Sequence, residues 1–82
     1  MQDKIKINKF LKNNIGEYIV IRNLINEQEE IIFLDNYVVE NNKIKLFSDE
    51  KNYDFTVIDN KVFDLGLLII TRGLEGFLIQ VF

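Results

Sequence analysis

Apolar positions are most concentrated near the C-terminal end of the chain. Residues 67–70 and 77–81 are apolar at nearly every position and rich in β-branched and aromatic types, and Gly73 and Gly76 lie between them. Short apolar runs of this kind, separated by a glycine-containing loop, predict two central strands joined as a hairpin and buried on both faces. We expect the loop glycines to supply positive φ angles. The rest of the chain should then cover this hairpin.

The first fifteen residues follow a different pattern. Apolar side chains recur there at helical spacing, with lysines on the other face: Ile7, Phe10, Leu11 and Ile15. This amphipathic pattern predicts a short helix with Asp3 as N-cap and with Gly16 taking a positive φ after its end. The alternation of lysine and isoleucine over residues 4–7 is instead typical of a strand. The start of the segment therefore stays open between helix and strand.

The middle of the chain is divided into short segments by polar turns. Strands are predicted in residues 17–25, 30–34, 37–40, 43–47, 53–58 and 61–65. Asn41-Asn42 should form a two-residue type I′ hairpin turn with positive φ at both residues, and Asp59-Asn60 should form a second two-residue turn. Ile44 and Leu46 share one face of their strand, so this strand should have one buried face and one solvent-exposed face.

These elements predict one mainly β domain over residues 1–82, α+β by element count. It has a helix in residues 1–15 and an antiparallel meander of about six to eight strands in residues 17–82, because the connections are too short for parallel crossovers. A flat meander would expose two long edges, which invites aggregation. We therefore expect a small curled sheet or barrel, with the helix covering one opening.

Composition supports the β assignment and narrows the chemistry. The chain has no Ala, Pro, Cys, His or Trp but has 13 Ile and 10 Asn, and these favour strands and turns respectively. Without His or Cys, the usual bases, thiolate nucleophiles and soft metal ligands are missing. Ser48, the one serine, lies in a predicted turn. Neither a phosphate-binding glycine motif nor a calcium-loop pattern is present. We predict a non-enzymatic protein with no catalytic residues, no metal site and no cofactor.

The net charge of −3 is unevenly placed. Residues 1–12 hold four lysines and Asp3, a sum of +3, so the remaining 70 residues sum to −6. Met1 is followed by this charged segment rather than by an apolar one, and no apolar run is long enough to span a bilayer, which predicts a cytoplasmic protein without a signal peptide. Solvated charged faces also explain such asymmetry, because they keep a small protein soluble.

The acidic loops suggest a protein-interaction module that binds the basic surface of a partner. Its predicted partner-binding residues are acidic side chains in or beside loops and two tyrosine anchors: Glu27, Glu29, Glu30, Asp49, Glu50, Asp54, Tyr37 and Tyr53. Small size, acidity and lack of catalytic groups would suit an inhibitor or adaptor of a nucleic-acid-handling protein, of the kind encoded by phages or mobile elements.

Two other functions fit the same residues. One is a small-barrel nucleic-acid-binding protein that uses lysines of the N-terminal helix: Lys4, Lys6, Lys9 and Lys12. The acidic body of the chain argues against this function, because phosphate contacts dominate nucleic-acid affinity. The other is a structural homo-oligomer that assembles through residues 77–82 as a C-terminal edge strand.

Overall fold

The structure is a computed structural model that describes the whole chain, Met1–Phe82. One helix is followed by seven strands: α1 (Lys4–Asn13), β1 (Tyr18–Asn23), β2 (Glu29–Phe33), β3 (Asn36–Glu40), β4 (Lys43–Phe47), β5 (Asn52–Val62), β6 (Gly66–Thr71) and β7 (Gly76–Val81). All pairings are antiparallel, and the spatial order is β2-β1-β7-β6-β5-β4-β3. The predicted helix-plus-meander architecture and its curled sheet are confirmed.

The meander curls because its first strand pairs with its last. In the β1–β7 ladder Ile21 lies opposite Ile79, and in the β6–β7 ladder Leu67 lies opposite the same residue. The ring stays open between β2 and β3, which are consecutive in sequence yet form the two edges of the sheet. The six antiparallel pairings that separate them leave both running in the same direction. The sheet is therefore a half-barrel. The chain continues from β2 to β3 in the same direction through a bend at Leu34-Asp35.

β5 corrects the predicted turn at Asp59-Asn60. The strand is continuous over 11 residues, and its register shifts between Val57 and Asp59. Its first half pairs with β4 and its second half with β6, so a bulge at Ile58 bends the strand around the corner of the half-barrel. The predicted strand over residues 61–65 is likewise wrong at its end, since residues 63–65 form the connection to β6. Tertiary pairing here overrode the turn preference of Asp and Asn.

The core lies on the concave side of the half-barrel, and α1 covers part of it. Fourteen apolar side chains form one buried cluster, to which the helix contributes Ile7, Phe10 and Leu11. This confirms the helix over residues 4–13, and Gly16 has the predicted positive φ of 82°. Asp3 occupies the N-cap position, but its side chain makes no capping hydrogen bond. Ile15 is exposed, so the apolar face ends one turn earlier than its spacing predicted.

The C-terminal hairpin is central, as predicted, but it is not buried on both faces. Leu67, Ile69 and Ile79 point into the core and are fully buried, whereas Leu68 and Leu78 lie on the convex face and are only half-buried. The single helix lies on the concave side, and the convex face has no covering layer. β7 is flanked by β1 and β6, so the C-terminal strand is not an edge and offers no free backbone for assembly.

Two hairpin turns differ from their predicted geometry. Only Asn41 has a positive φ in the β3–β4 turn, which therefore is not of type I′. In the β6–β7 turn the positive φ falls on Leu74, at 60°, rather than on Gly73 or Gly76. Gly76 instead allows close packing, because a Cβ there would lie 3.3 Å from the side chain of Leu24. Gly76 thus serves close packing rather than backbone freedom, whereas a Cβ at Gly73 would have no neighbour closer than 3.8 Å.

The helix content of the fold is small. α1 has ten residues and carries lysines on its exposed face. The structure contains no helix with the length and apolarity that crossing a membrane requires.

Candidate functional site

A shallow groove of about 510 Å³ runs along β2, on the side that has no strand partner. One wall is β2 itself, and the other is the β4–β5 loop, residues 48–51. The lining side chains are mainly apolar on the strands, with Glu30 as the exception, and polar in the loop: Tyr18, Glu30, Ile31, Ile32, Phe33, Ser48, Asp49, Glu50 and Lys51. The groove thus places three carboxylates and one ammonium group beside exposed apolar surface.

The β4–β5 loop is held in shape by its serine. The Ser48 hydroxyl donates to the Lys51 carbonyl oxygen at 2.7 Å and accepts from the Lys51 N–H at 3.1 Å. The Ser48 N–H also donates to the same carbonyl, at 3.2 Å. This closed turn leaves Asp49 and Glu50 exposed at its tip, with their charges directed to solvent.

Glu30, Lys51 and Tyr53, which we call the Glu30 cluster, join the two walls. The Glu30 carboxylate accepts from the Lys51 ammonium at 2.9 Å and from the Tyr53 hydroxyl. These two hydrogen bonds, that of Tyr53 first, lower the pKa of Glu30 below its usual value. Burial of the phenol and its bond to Glu30 raise the pKa of Tyr53. The Lys51 ammonium lies 5.0 Å from the centre of the Tyr53 ring. The cluster therefore holds the groove together at neutral pH.

The Glu30 cluster should make stability depend on pH at the acid end. Because the pKa of Glu30 is lower in the folded protein, its stabilising contribution is present above the unfolded pKa and lost as pH falls through the folded pKa. We expect Glu30→Gln to lose less free energy of unfolding between about pH 6 and pH 3 than the wild type. Urea unfolding at the two pH values measures this difference.

Glu40→Gln is the matched control for this prediction. Glu40 is also an exposed strand carboxylate, but its side chain has neither an ion-pair nor a hydrogen-bond partner. Its variant should follow the wild-type pH dependence. If Glu30→Gln and the wild type lose equal stability on acidification, the carboxylate does not hold the groove through its charge.

The structure brings only part of the predicted partner-binding set together. Glu30, Asp49 and Glu50 line the groove, and Tyr53 lies next to it through its bond to Glu30. Segments separated by almost twenty residues thus meet because the curled sheet brings β2 opposite the start of β5. The sequence pattern could not show this meeting, since no short-range signal specifies where the ring of strands stays open.

The other predicted residues lie elsewhere. Glu29 points to the convex face, where its carboxylate is 3.7 Å from Arg22, and Glu27 lies in the β1–β2 turn with a φ of 60°. Asp54 lies on the β4–β5 ladder, 4.0 Å from the Lys43 ammonium. Tyr37 is half-buried against the core, and its hydroxyl donates to the Asn8 carbonyl of α1 at 3.1 Å. Tyr37 therefore helps to fix α1 against the sheet.

The groove also has an apolar side that was absent from the predicted site. Tyr18 and Ile31 are both 55 % exposed, on the convex face of β1 and β2. The Tyr18 ring packs edge-on against Phe33 at 5.3 Å and against Phe82 at 6.4 Å between ring centres. A signal for this surface was present in the sequence, because β1 and β2 carry apolar residues on both faces while the chain has only one helix to cover them.

A second pocket, of about 540 Å³, lies between α1 and the β5–β6 connection. Lys6 and Lys9 line it together with Phe63 and Asp64. None of the helix lysines forms an ion pair, and the Lys61 ammonium lies 5.4 Å from the centre of the exposed Phe63 ring. The pocket therefore combines two lysines that form no ion pair with the Asp64 carboxylate and the rings of Phe10 and Phe63.

No group of three His, Cys, Asp or Glu side chains is arranged to hold a metal ion. Comparison of the chain with protein-family models, with curated proteins and with solved structures finds no match. The interpretation of the groove therefore rests on its own geometry and charge.

Proposed function

We propose that this protein is a non-enzymatic protein-interaction module that binds a basic segment of a partner in the groove between β2 and the β4–β5 loop. The observation that carries the proposal is the meeting of Glu30 with Asp49 and Glu50 beside exposed Tyr18 and Ile31. Charge at the rim guides a basic partner to the site, and the aromatic and aliphatic side chains supply area that binding can bury.

A protein that handles nucleic acid is one partner with suitable chemistry, because it presents a basic surface to phosphates. Occupying that surface with acidic side chains would inhibit the partner or dock it to another protein. Under this proposal the chain acts as a small inhibitor or adaptor, of the kind that phages and mobile elements encode. Its work would be done by binding alone.

Reversing the charge at the loop tip should weaken partner binding. The test is capture of partners from a lysate of the source organism by the tagged protein, after nuclease treatment, with Asp49→Lys/Glu50→Lys beside the wild type. We expect the double variant to lose at least about tenfold in affinity for any protein that the wild type retains, because each new lysine repels a basic partner and removes an attraction. Both side chains are exposed, so folding should be unaffected.

The matched control is Asp35→Lys/Glu40→Lys, which makes the same change in net charge at two exposed positions outside the groove. It should retain partners as the wild type does. Equal retention by all three proteins would place binding elsewhere, and equal loss in both double variants would mean that net charge alone decides it.

A second candidate function follows from the α1 pocket. Its unpaired lysines and the exposed Phe63 ring suit a nucleic-acid strand, in which phosphates meet ammonium groups and a base stacks on the ring. The same capture experiment, run with and without nuclease, separates the two functions. Recovery that disappears with nuclease and with Lys6→Glu/Lys9→Glu, but not with the Asp49→Lys/Glu50→Lys variant, would favour nucleic acid.

A further inference from the structure

The open edge of β2 leaves main-chain groups free for pairing. The Leu34 N–H donates to the Glu17 carbonyl at 3.0 Å, and the Asn23 N–H donates to the Gln28 carbonyl at 2.8 Å. These bonds mark the two ends of the β1–β2 ladder. Hydrogen-bonding direction alternates along an antiparallel strand, so the even-numbered residues of β2 point towards β1. The N–H and C=O groups of Glu29, Ile31 and Phe33 therefore face the groove.

The other edge of the sheet is covered. α1 packs against β3, and the Tyr37 hydroxyl of β3 is bonded to the Asn8 carbonyl of the helix. The Tyr37 N–H, which faces away from β4, has a local partner, since it donates to the Asn36 side-chain oxygen at 2.9 Å. A helix over one edge is a common protection against unwanted pairing. β2 has no such cover, so it is the edge at which the sheet is able to grow.

The groove has the form that an added strand needs. Its apolar side is lined by Ile31 and Phe33, whose main-chain groups face the open edge. On the opposite wall the 48–51 loop is linked to β2 through the Glu30 carboxylate, which accepts from the Lys51 ammonium. A space of about 510 Å³ lies between the two walls, within the range of sites that hold small ligands. When a peptide binds as an added strand, main-chain hydrogen bonds provide the affinity, and the alternate side chains of the peptide provide the specificity.

Charge selects the occupant. The β2 strand of a second copy carries Glu29 and Glu30 and no basic side chain, so it would add negative charge to a groove that already holds Asp49 and Glu50. A segment with basic side chains on alternate positions would instead meet Asp49 and Glu50 at the loop tip. The same acidic residues thus discourage self-pairing and favour a basic partner.

We infer that the open edge of β2 binds an extended, basic segment of a partner protein as an eighth strand of the sheet. This inference rests on the proposed function and adds the mode of binding: the main-chain groups of Glu29, Ile31 and Phe33 pair with the segment, while Asp49 and Glu50 bind its basic side chains.

The probe is a synthetic peptide of about six residues, the usual length of a strand, with lysine and valine alternating and both ends capped. Binding is followed by amide chemical shifts and by hydrogen exchange of the labelled protein. We expect the amides of Glu29, Ile31 and Phe33 to shift and gain protection. Methylating the peptide's main-chain nitrogens on alternate residues should weaken binding at least about tenfold in one of the two registers and little in the other, since only one row of N–H groups faces β2.

Two protein variants distinguish the contribution of the main chain to peptide binding from that of the side chain at Ile31, the centre of the edge. Ile31→Pro removes an N–H that the fold itself leaves unpaired, which is the one kind of strand position that tolerates proline. It should lose peptide binding at least about tenfold. Ile31→Thr keeps the N–H and shortens the apolar side chain, so it should lose less. The methylated peptides give the same information with unaltered protein if Ile31→Pro fails to fold.

The outcomes distinguish the inference from the proposed function. No binding of the unmethylated peptide at millimolar concentration, or equal binding of both methylated registers, overturns strand addition. If partner capture still depends on Asp49 and Glu50 in that case, the interaction module stands and only its mode is wrong. Formation of a dimer in the absence of peptide that Ile31→Pro abolishes would also overturn the inference, because β2 would then pair with a second copy.

Discussion

Ile7→Asp is expected to destabilise the protein by about 4 kcal/mol, while Ile5→Asp should change the free energy of unfolding by less than about 0.5 kcal/mol. Ile7 is completely buried beneath α1, whereas Ile5, two residues earlier, is 85 % exposed. A carboxylate at Ile7 loses the apolar contacts of the core and, when ionised, must be desolvated without a partner. Helical geometry places the two isoleucines on opposite faces, so equal substitutions should have very unequal effects.

Urea unfolding of the two variants measures the difference. At about 0.05–0.15 kcal/mol per residue, a chain of 82 residues has a total stability of about 4–12 kcal/mol, so Ile7→Asp should retain about 0–8 kcal/mol. At the low end of this range about half of the variant is unfolded at room temperature. Exposed core surface would then bind a hydrophobic dye. Similar losses in both variants would show that the two isoleucines share one face, as they would in a strand, and would exclude α1 from residues 4–7.

Ile69→Ala should cost about 3–4 kcal/mol, and Ile70→Ala about 1 kcal/mol. Both residues lie in β6, the middle strand of the seven, but on opposite faces. Ile69 is fully buried in the concave core, and its removal leaves a cavity that close packing cannot fill. Ile70 lies on the convex face, where it is half-buried and water can occupy the space that its side chain leaves.

Thermal or urea unfolding of this pair provides the measurement, with the wild type as reference. The comparison tests whether the convex face is uncovered in solution. A loss at Ile70 as large as that at Ile69 would mean that another layer packs on the convex face, such as a second molecule of this protein. In that case stability would also rise with protein concentration.

The uncovered convex face and the open β2 edge have one origin. A single ten-residue helix is too small to cover both a curled sheet and its two edges, and it packs against the concave core and β3. Tyr18, Ile31 and Phe82 therefore stay exposed although they are apolar. These exposed side chains lie next to the acidic groove, which is why that groove is the candidate binding site.

Most elements could be predicted from local patterns in the sequence. The spacing of Ile7, Phe10 and Leu11 specified the helix, and two-residue breaks such as Asn41-Asn42 specified antiparallel neighbours. The residue types also show that the chain has no imidazole base and no thiolate, because it contains neither His nor Cys. These features depend on neighbours in sequence, so a single chain is enough to show them.

Tertiary pairing decided the rest. Asp59 and Asn60 have turn-forming side chains, yet they lie in β5 opposite Ile70 and Ile69, and the Asn60 amide nitrogen is buried without a hydrogen-bond partner. Positive φ fell on Leu74 rather than on a nearby glycine. In both places the pairing of whole strands outweighed the preference of one residue, because many main-chain bonds and buried side chains depend on the register.

The sequence by itself determined the element types, their antiparallel order and the acidic character of the loops. Only the tertiary structure decided that β1 pairs with β7, that the ring opens between β2 and β3, and that Glu30 therefore lies beside Asp49 and Glu50. The physical reason is the range of the forces involved. The spacing of apolar residues in a helix and the geometry of a turn depend on interactions over a few residues. Closure of the sheet depends on the whole chain, because edge pairing, packing on the core and the bend at Leu34-Asp35 must all be satisfied together.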